Sequence, residues 1–385
     1  MLRRFILIAT SLLTFTGTST PSLAAGAGAV DPTTLNFGMS APFSGPNGAY
    51  GVEMRDIIAA YFQQINASGG IHGRKLQLVA LDDGYETERA VANARALVEE
   101  KKVFGLIASY GSSTTQAAVN EVLGPAGVPL VGAISGSDAI RQSPKTHPNN
   151  RYVFNTRASY ADECEAIIGQ LTSLGLNRIA VLYQNDAFGT SGLDGIASAL
   201  RKRGLTTVAA GAVERNSLDV GAAAQAVAQA NPQAVIMVAL YKPTAAFVRH
   251  MKKLGQNPQF VTLSPVGADL LVRELGDDAR GIGISQVMPY PWNEVTPVVR
   301  EYQRLLAKGA RPSYYGLEAY IMARTLIDAL RKSGRDLSRE KLIGSLESMQ
   351  NLDLGGYHIS YSPRDHSGSH FVDLTVVGNG GRVLH

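Results

Sequence analysis

Short runs rich in Val, Ile and Leu recur along this chain, each followed by a turn and then by apolar residues at helical spacing. That alternation constrains the fold more than any other feature. Residues 75–81, 103–108, 128–133, 178–183, 234–240 and 280–286 read as strands. Residues 90–101, 114–123, 192–203, 222–229, 244–254 and 315–331 read as helices. In the first of these Val91, Ala94, Leu97 and Val98 share one face, and Gly204 and Gly255 close two of the others. Strand–helix–strand order means parallel sheets covered by helices on both faces, an α/β protein. Residues 371–377, with polar turns around them, read as an edge β-ribbon. A length of 385 residues allows two domains, and a hydrophobic content of 45% excludes disorder as the main description.

The first 24 residues read as a signal peptide. Arg3 and Arg4 precede an apolar run from Phe5 to Phe15, and Ser22-Leu23-Ala24 gives a small-x-small cleavage site. The run is shorter than the roughly 20 residues a membrane span needs, and Pro21 breaks any helix that would extend it. Cleavage near Ala24 sends the rest to the periplasm. Arg3 and Arg4 also supply two of the formal charge of +4, so the remainder is too weakly basic to argue for nucleic acid. A lone cysteine, Cys164, excludes an internal disulfide framework and cysteine-based metal sites.

In parallel sheets ligands bind beyond the carboxyl ends of strands. Two loops in that position are rich in small hydroxyl residues: Ser109-Tyr110-Gly111-Ser112-Ser113-Thr114-Thr115 and Ile134-Ser135-Gly136-Ser137-Asp138. Each puts hydroxyls and unpaired N–H groups at a helix start. That suits a carboxylate or other anion, or simple N-capping. Two such loops on adjacent strands favour the anion.

Several segments carry a family resemblance. They are 40–46 (Ser-Ala-Pro-Phe-Ser-Gly-Pro), Tyr50-Gly51, 65–76 with its Gly69-Gly70 and Gly73, Asp82-Asp83, Asp186-Ala187-Phe188-Gly189 and the loop at Tyr241. Together they resemble the branched-chain amino-acid (Leu/Ile/Val) binding proteins of bacterial ABC transporters, from about residue 35 onward. The resemblance implies the type I periplasmic binding protein fold: two Rossmann-like α/β lobes with parallel sheets, joined by three crossover strands, with the ligand cleft between them. It places the crossovers near 155–157, 286–289 and 360–363. Lobe one would be 31–156 plus 287–360, and lobe two 157–286 plus 361–385.

The resemblance also assigns pocket positions. Tyr50 matches an aromatic that covers the ligand. Ser112 matches the serine that holds the ligand carboxylate, with Ser113 beside it. Ile134 and Gly136 match a second loop where the family usually has Thr in place of Gly136; Ser135 or Ser137 supplies the missing hydroxyl. Phe188 matches a tyrosine and keeps only the ring, whereas Tyr241 matches directly. Val266 is the informative departure, because the amino-acid binders place an acid there against the ligand's ammonium, and a buried ammonium facing Val would be uncompensated. Asp269 is the nearest substitute. Arg157 and Tyr160 sit where a second polar anchor reaches the cleft, unless Arg157 forms an inter-lobe ion pair. The family's disulfide positions fall at Tyr85 and Gly111, so both partners are absent together.

The remaining constellations point away from catalysis. His366 and His370 lie four apart in a glycine-containing turn, which is no metal site. No P-loop, dinucleotide fingerprint or nucleophile elbow follows a strand. Neither cofactor nor metal is expected. Trp292 lines the cleft mouth or simply packs. The expectation is a monomeric periplasmic receptor, not an enzyme. It binds a small carboxylate-bearing solute with an apolar or aromatic body and docks on ABC permease subunits. The alternative is a ligand-sensing module of the same fold that feeds a regulator.

Overall fold

A computed structural model describes residues 31–385; the expected signal peptide, 1–24, lies outside them. Two sheets organise the chain. The first contains β1 (Thr34–Ala41), β2 (Lys75–Asp82), β3 (Gly105–Tyr110), β4 (Leu130–Ile134) and β5 (Val153–Phe154), all parallel, in the order β2-β1-β3-β4-β5. The second contains β6 (Ile179–Gln184), β7 (Ala209–Val213), β8 (Ala234–Val238), β9 (Gln259–Thr262) and β10 (Gly283–Gln286) in parallel. A two-residue hairpin, β11 (Leu352–Asp353) and β12 (His358–Ile359), stands apart. The ribbon β13 (Asp373–Val377) and β14 (Val383–Leu384) then joins the second sheet antiparallel, giving β14-β13-β10-β9-β8-β6-β7.

Helices fill the connections. They are α1 (Gly48–Ala67), α2 (Thr87–Arg95) and α3 (Ser112–Ala118) around the first sheet. Around the second lie α4 (Tyr160–Ser173), α5 (Ala187–Arg201), α6 (Gly221–Gln229), α7 (Tyr241–Lys253) and α8 (Ala268–Leu275). Then α9 (Pro297–Gln303), α10 (Tyr314–Lys332) and α11 (Arg339–Glu347) return to the first body, where α10 packs along α1 and against β3 and β4. The central strands β3 and β8 are buried throughout, as parallel strands covered on both faces must be. Gly70 shows why the helix-to-strand turn after α1 needs glycine: its φ is +73° and a Cβ would lie 2.1 Å from the Arg74 carbonyl oxygen.

The α/β architecture expected from the sequence is the one found, with local differences. The strands β1, β7 and β9 were not legible. β1 reads TLNFGMSA, and its Gly38, Met39 and Ser40 dilute the β-branched signal. β7 is AAGAV, where small residues suffice because Ala223 of α6 presses directly on Gly211. The helix expected at 192–203 starts at Ala187, because Asp186 caps it through the N–H groups of Phe188 (2.9 Å) and Gly189 (3.2 Å).

The chain passes between the two bodies after β5, after β10 and after β12. These passages are tied to one another. The Tyr357 hydroxyl donates to the Thr156 carbonyl at 2.7 Å and faces that of Val287 at 3.2 Å, and the Tyr361 hydroxyl donates to the Asn155 carbonyl at 3.0 Å. Gly368 N–H donates to the same Asn155 carbonyl, and Asn155 N–H to that of His366. Both rings are buried, so one hinge holds all three passages in register.

Candidate functional site

The carboxyl ends of β3 and β4 meet the second lobe. β3 ends at Tyr110, the chain turns at Gly111 (φ +94°), and α3 starts at Ser112. The Ser112 hydroxyl lies 2.8 Å from that of Ser135 and 3.4 Å from that of Tyr160. Ser137 instead turns to its own loop, its oxygen accepting from Ala139 N–H. So Ser135, not Ser137, joins Ser112. The Gly136 departure has a packing cause: a Cβ there would lie 2.5 Å from the Tyr160 ring, whose own N–H donates to the Gly136 carbonyl at 2.8 Å. Tyr160 fills the space a threonine would need.

Aromatic rings make the wall. Tyr50 is fully buried, and its ring lies 5.3 Å from Tyr110, 4.7 Å from Tyr315 and 5.6 Å from Tyr241, centroid to centroid. Its hydroxyl donates to the Val266 carbonyl at 2.6 Å and accepts from Tyr241 N–H. The Tyr315 hydroxyl donates to the Pro265 carbonyl at 2.9 Å. Phe188 packs on Tyr160 at 5.2 Å. Further bonds cross the cleft: Ala187 N–H to the Ser113 oxygen, the Tyr241 hydroxyl to the Pro46 carbonyl, and Gln184 Nε2 to the Tyr85 hydroxyl at 3.1 Å. Between the lobes lies a cavity of about 10 Å³, room for roughly one water. Ser112, Ile134 and Phe188 line it, with Tyr85, Tyr110, Tyr160 and Pro265.

Tyr85, Tyr110 and Tyr315 are functional candidates that the sequence reading passed over. Tyr110 carried the one usable signal, since it closes the strand that leads into the Ser112 loop. Its hydroxyl is buried with no well-formed hydrogen bond among the described residues, beside the hydroxyl of Tyr315. Burial pushes the hydroxyls of Tyr50, Tyr85 and Tyr110 well above the ordinary tyrosine range and raises that of Tyr160, so all four remain protonated donors. Tyr85 and Gly111 are linked sterically. A Cβ on Gly111 would lie 2.5 Å from the Tyr85 ring, so the bulky ring at 85 requires the missing side chain at 111.

Arg157 does not line the cavity. It is 1% exposed and sits between two carboxylates, 3.3 Å from Glu163 of α4 and 3.4 Å from Glu318 of α10, with Ser264 also bonded to it. Glu163 is richly supplied, accepting from Ser264 N–H (2.8 Å) and from the hydroxyls of Ser264 (3.0 Å) and Ser285 (2.6 Å). Glu318 Oε1 has no hydrogen-bond donor among the described residues. Burial lifts the Glu318 carboxyl to about 7 against the pull of Arg157. Val266 is fully buried. Asp269 lies outside the cavity lining, and burial, reinforced by Glu53, raises its carboxyl to about 6. Cys164 is buried against Gly192, its thiol pushed up by burial, as befits a small core residue. His366 stacks on Phe154 while His370 faces Asp162, so the two imidazoles serve different partners. Trp292 packs edge-on against Tyr290 and Tyr314.

A parallel-sheet lobe, a mixed-sheet lobe, three tied passages between them and a tyrosine-walled cleft define a two-lobed solute-binding fold. The chain belongs to the periplasmic binding protein family, whose model matches residues 34–382. It is 26% identical over 314 residues to Leu/Ile/Val-binding protein homolog 7 of Brucella abortus, covering 77% of each chain. Its structure is similar to a possible leucine/isoleucine/valine-binding protein from Rhodopirellula baltica, with TM-score 0.85, 32% identity, and 94% of this chain and 98% of that one covered. It also resembles a substrate-binding periplasmic protein from Ralstonia solanacearum, with TM-score 0.84, 31% identity, and 91% and 99% covered.

Proposed function

We propose that this protein is the periplasmic solute receptor of an ABC uptake transporter and that its solute is a carboxylate without an ammonium group. One observation carries the reading. The polar side chains around the cavity are hydroxyls, and no carboxylate lines it to balance an ammonium. Tyr85, Tyr110, Ser112 and Tyr160 offer them. The carbonyls of Pro265 and Val266 are taken by Tyr315 and Tyr50. A carboxylate accepts from several such hydroxyls; an ammonium here would be buried without a counter-charge. The apolar body lies among Tyr50, Ile134, Phe188 and Tyr241. Arg157 acts through the lobe interface, and 31–156 plus 287–360 and 157–286 plus 361–385 move as the two bodies that close on the solute. The closed monomer then meets the permease.

A thermal-shift screen tests this. Aromatic and branched aliphatic monocarboxylates should raise the melting temperature, and leucine and valine should not. Ligand at a hundred times its dissociation constant adds about 2.7 kcal/mol. Stabilisation by leucine or valine, with none by the acids, defeats the reading.

A further inference from the structure

The donors around the cavity outnumber what one carboxylate beside Ser112 engages, and Tyr85 is the residue that makes the surplus. Its backbone holds φ at +66°, in the left-handed region that non-glycine residues seldom adopt. Asp83 pins it there by accepting its N–H at 2.8 Å, and the space above Gly111 receives its ring. The Tyr85 oxygen accepts from Gln184 Nε2 of the opposite lobe, so what it has left to offer is its proton. Tyr85 and Tyr110 are each 2% exposed, line the same cavity and pack edge to face at 5.6 Å. The Tyr110 hydroxyl has no well-formed hydrogen bond among the described residues, its polar neighbour being the Tyr315 hydroxyl. Ser112 is engaged with Ser135.

We infer that the solute carries a second acceptor next to its carboxylate, as a 2-oxo acid does, and that Tyr85 is the specificity-determining residue that reads it, with Tyr110. The inference rests on the carboxylate reading above. A 2-oxo oxygen accepts from phenol O–H groups. The 2-ammonium of the matching amino acid meets no carboxylate in the lining, and the acid lacking the oxygen leaves a buried hydroxyl unpaired. A site built to bond a substrate oxygen discriminates strongly against analogues without it.

Calorimetric titration of the purified protein with two triplets separates the possibilities. The first is phenylpyruvate, 3-phenylpropanoate and phenylalanine. The second is 4-methyl-2-oxopentanoate, 4-methylpentanoate and leucine. In the triplet whose side chain fits, the oxo acid should bind about tenfold or more tighter than the plain acid, and the amino acid weakest. Tyr85→Phe should remove most of that preference, read as the ratio of oxo-acid to plain-acid affinity within the variant; Tyr110→Phe serves as the second variant, with melting curves confirming that both fold. If oxo and plain acids bind alike, or if neither variant alters the preference, the inference fails and the carboxylate reading stands. If an amino acid binds best, or none of the six binds, both fall.

Discussion

Replacing Glu318 with glutamine should leave stability nearly unchanged at pH 5 and raise it at pH 8. Arg157 stands between two buried carboxylates, and Glu163 already collects bonds from Ser264 and Ser285. Glu318 is left with a guanidinium at 3.4 Å and an Oε1 without a hydrogen bond among the described residues. Burial accordingly lifts its carboxyl from 4.5 to about 7. Between those values the folded chain holds the proton more tightly than the unfolded chain. The proton's contribution is therefore fully present below about pH 4.5 and is lost as pH rises through 7. The difference corresponds to about 3 kcal/mol at pH 8. Glutamine keeps the neutral form at every pH. Asp83 and Asp269, each raised to about 6 by burial, slope the same way but are common to both proteins and cancel on subtraction. Urea denaturation of the two proteins from pH 5 to 8 gives the difference directly. A difference independent of pH, or a variant less stable at pH 8, refutes the assignment of the raised carboxyl to Glu318.

Three further outcomes follow from local geometry. Gly111→Ala meets both a φ of +94° and the Tyr85 ring and should cost about 1–3 kcal/mol; Tyr85→Ala in the same chain should recover part of it, a coupling that a double-mutant cycle by denaturation reads. Tyr357→Phe strands the Thr156 carbonyl, bonded at 2.7 Å, and should lower stability by about 1–2 kcal/mol, measured by thermal melting. Cys164, buried and with a raised thiol, should resist a thiol reagent in buffer and react fully in denaturant.

Much of the fold was legible because buried parallel strands concentrate Val, Ile and Leu. β8, AVIMV, announces itself, whereas β7 hides because its neighbour's closeness demands alanine and glycine. Within the site, Ser112 and Ile134 were readable from loops at strand ends, and Phe188 from the family resemblance. Tyr85 was not. Its place depends on a glycine 26 residues away and on Gln184 of the other lobe, and no local pattern records such a meeting. Arg157 was readable as a cleft anchor or an inter-lobe ion pair, but its partner Glu318, 161 residues downstream, was not readable.

The ribbon β13–β14 pairs with β10 across a long interval, Gln286 opposite Asp373. The strands of the first sheet, by contrast, all fall between Thr34 and Phe154. Time of emergence therefore separates the two sheets. The first sheet can assemble while later segments are still emerging. The second waits with β10 open on one edge until residues 373–384 arrive, and until then that edge offers unpaired backbone to any passing strand. A truncation or a stall near residue 370 would thus leave an adhesive half-receptor rather than a merely shortened one.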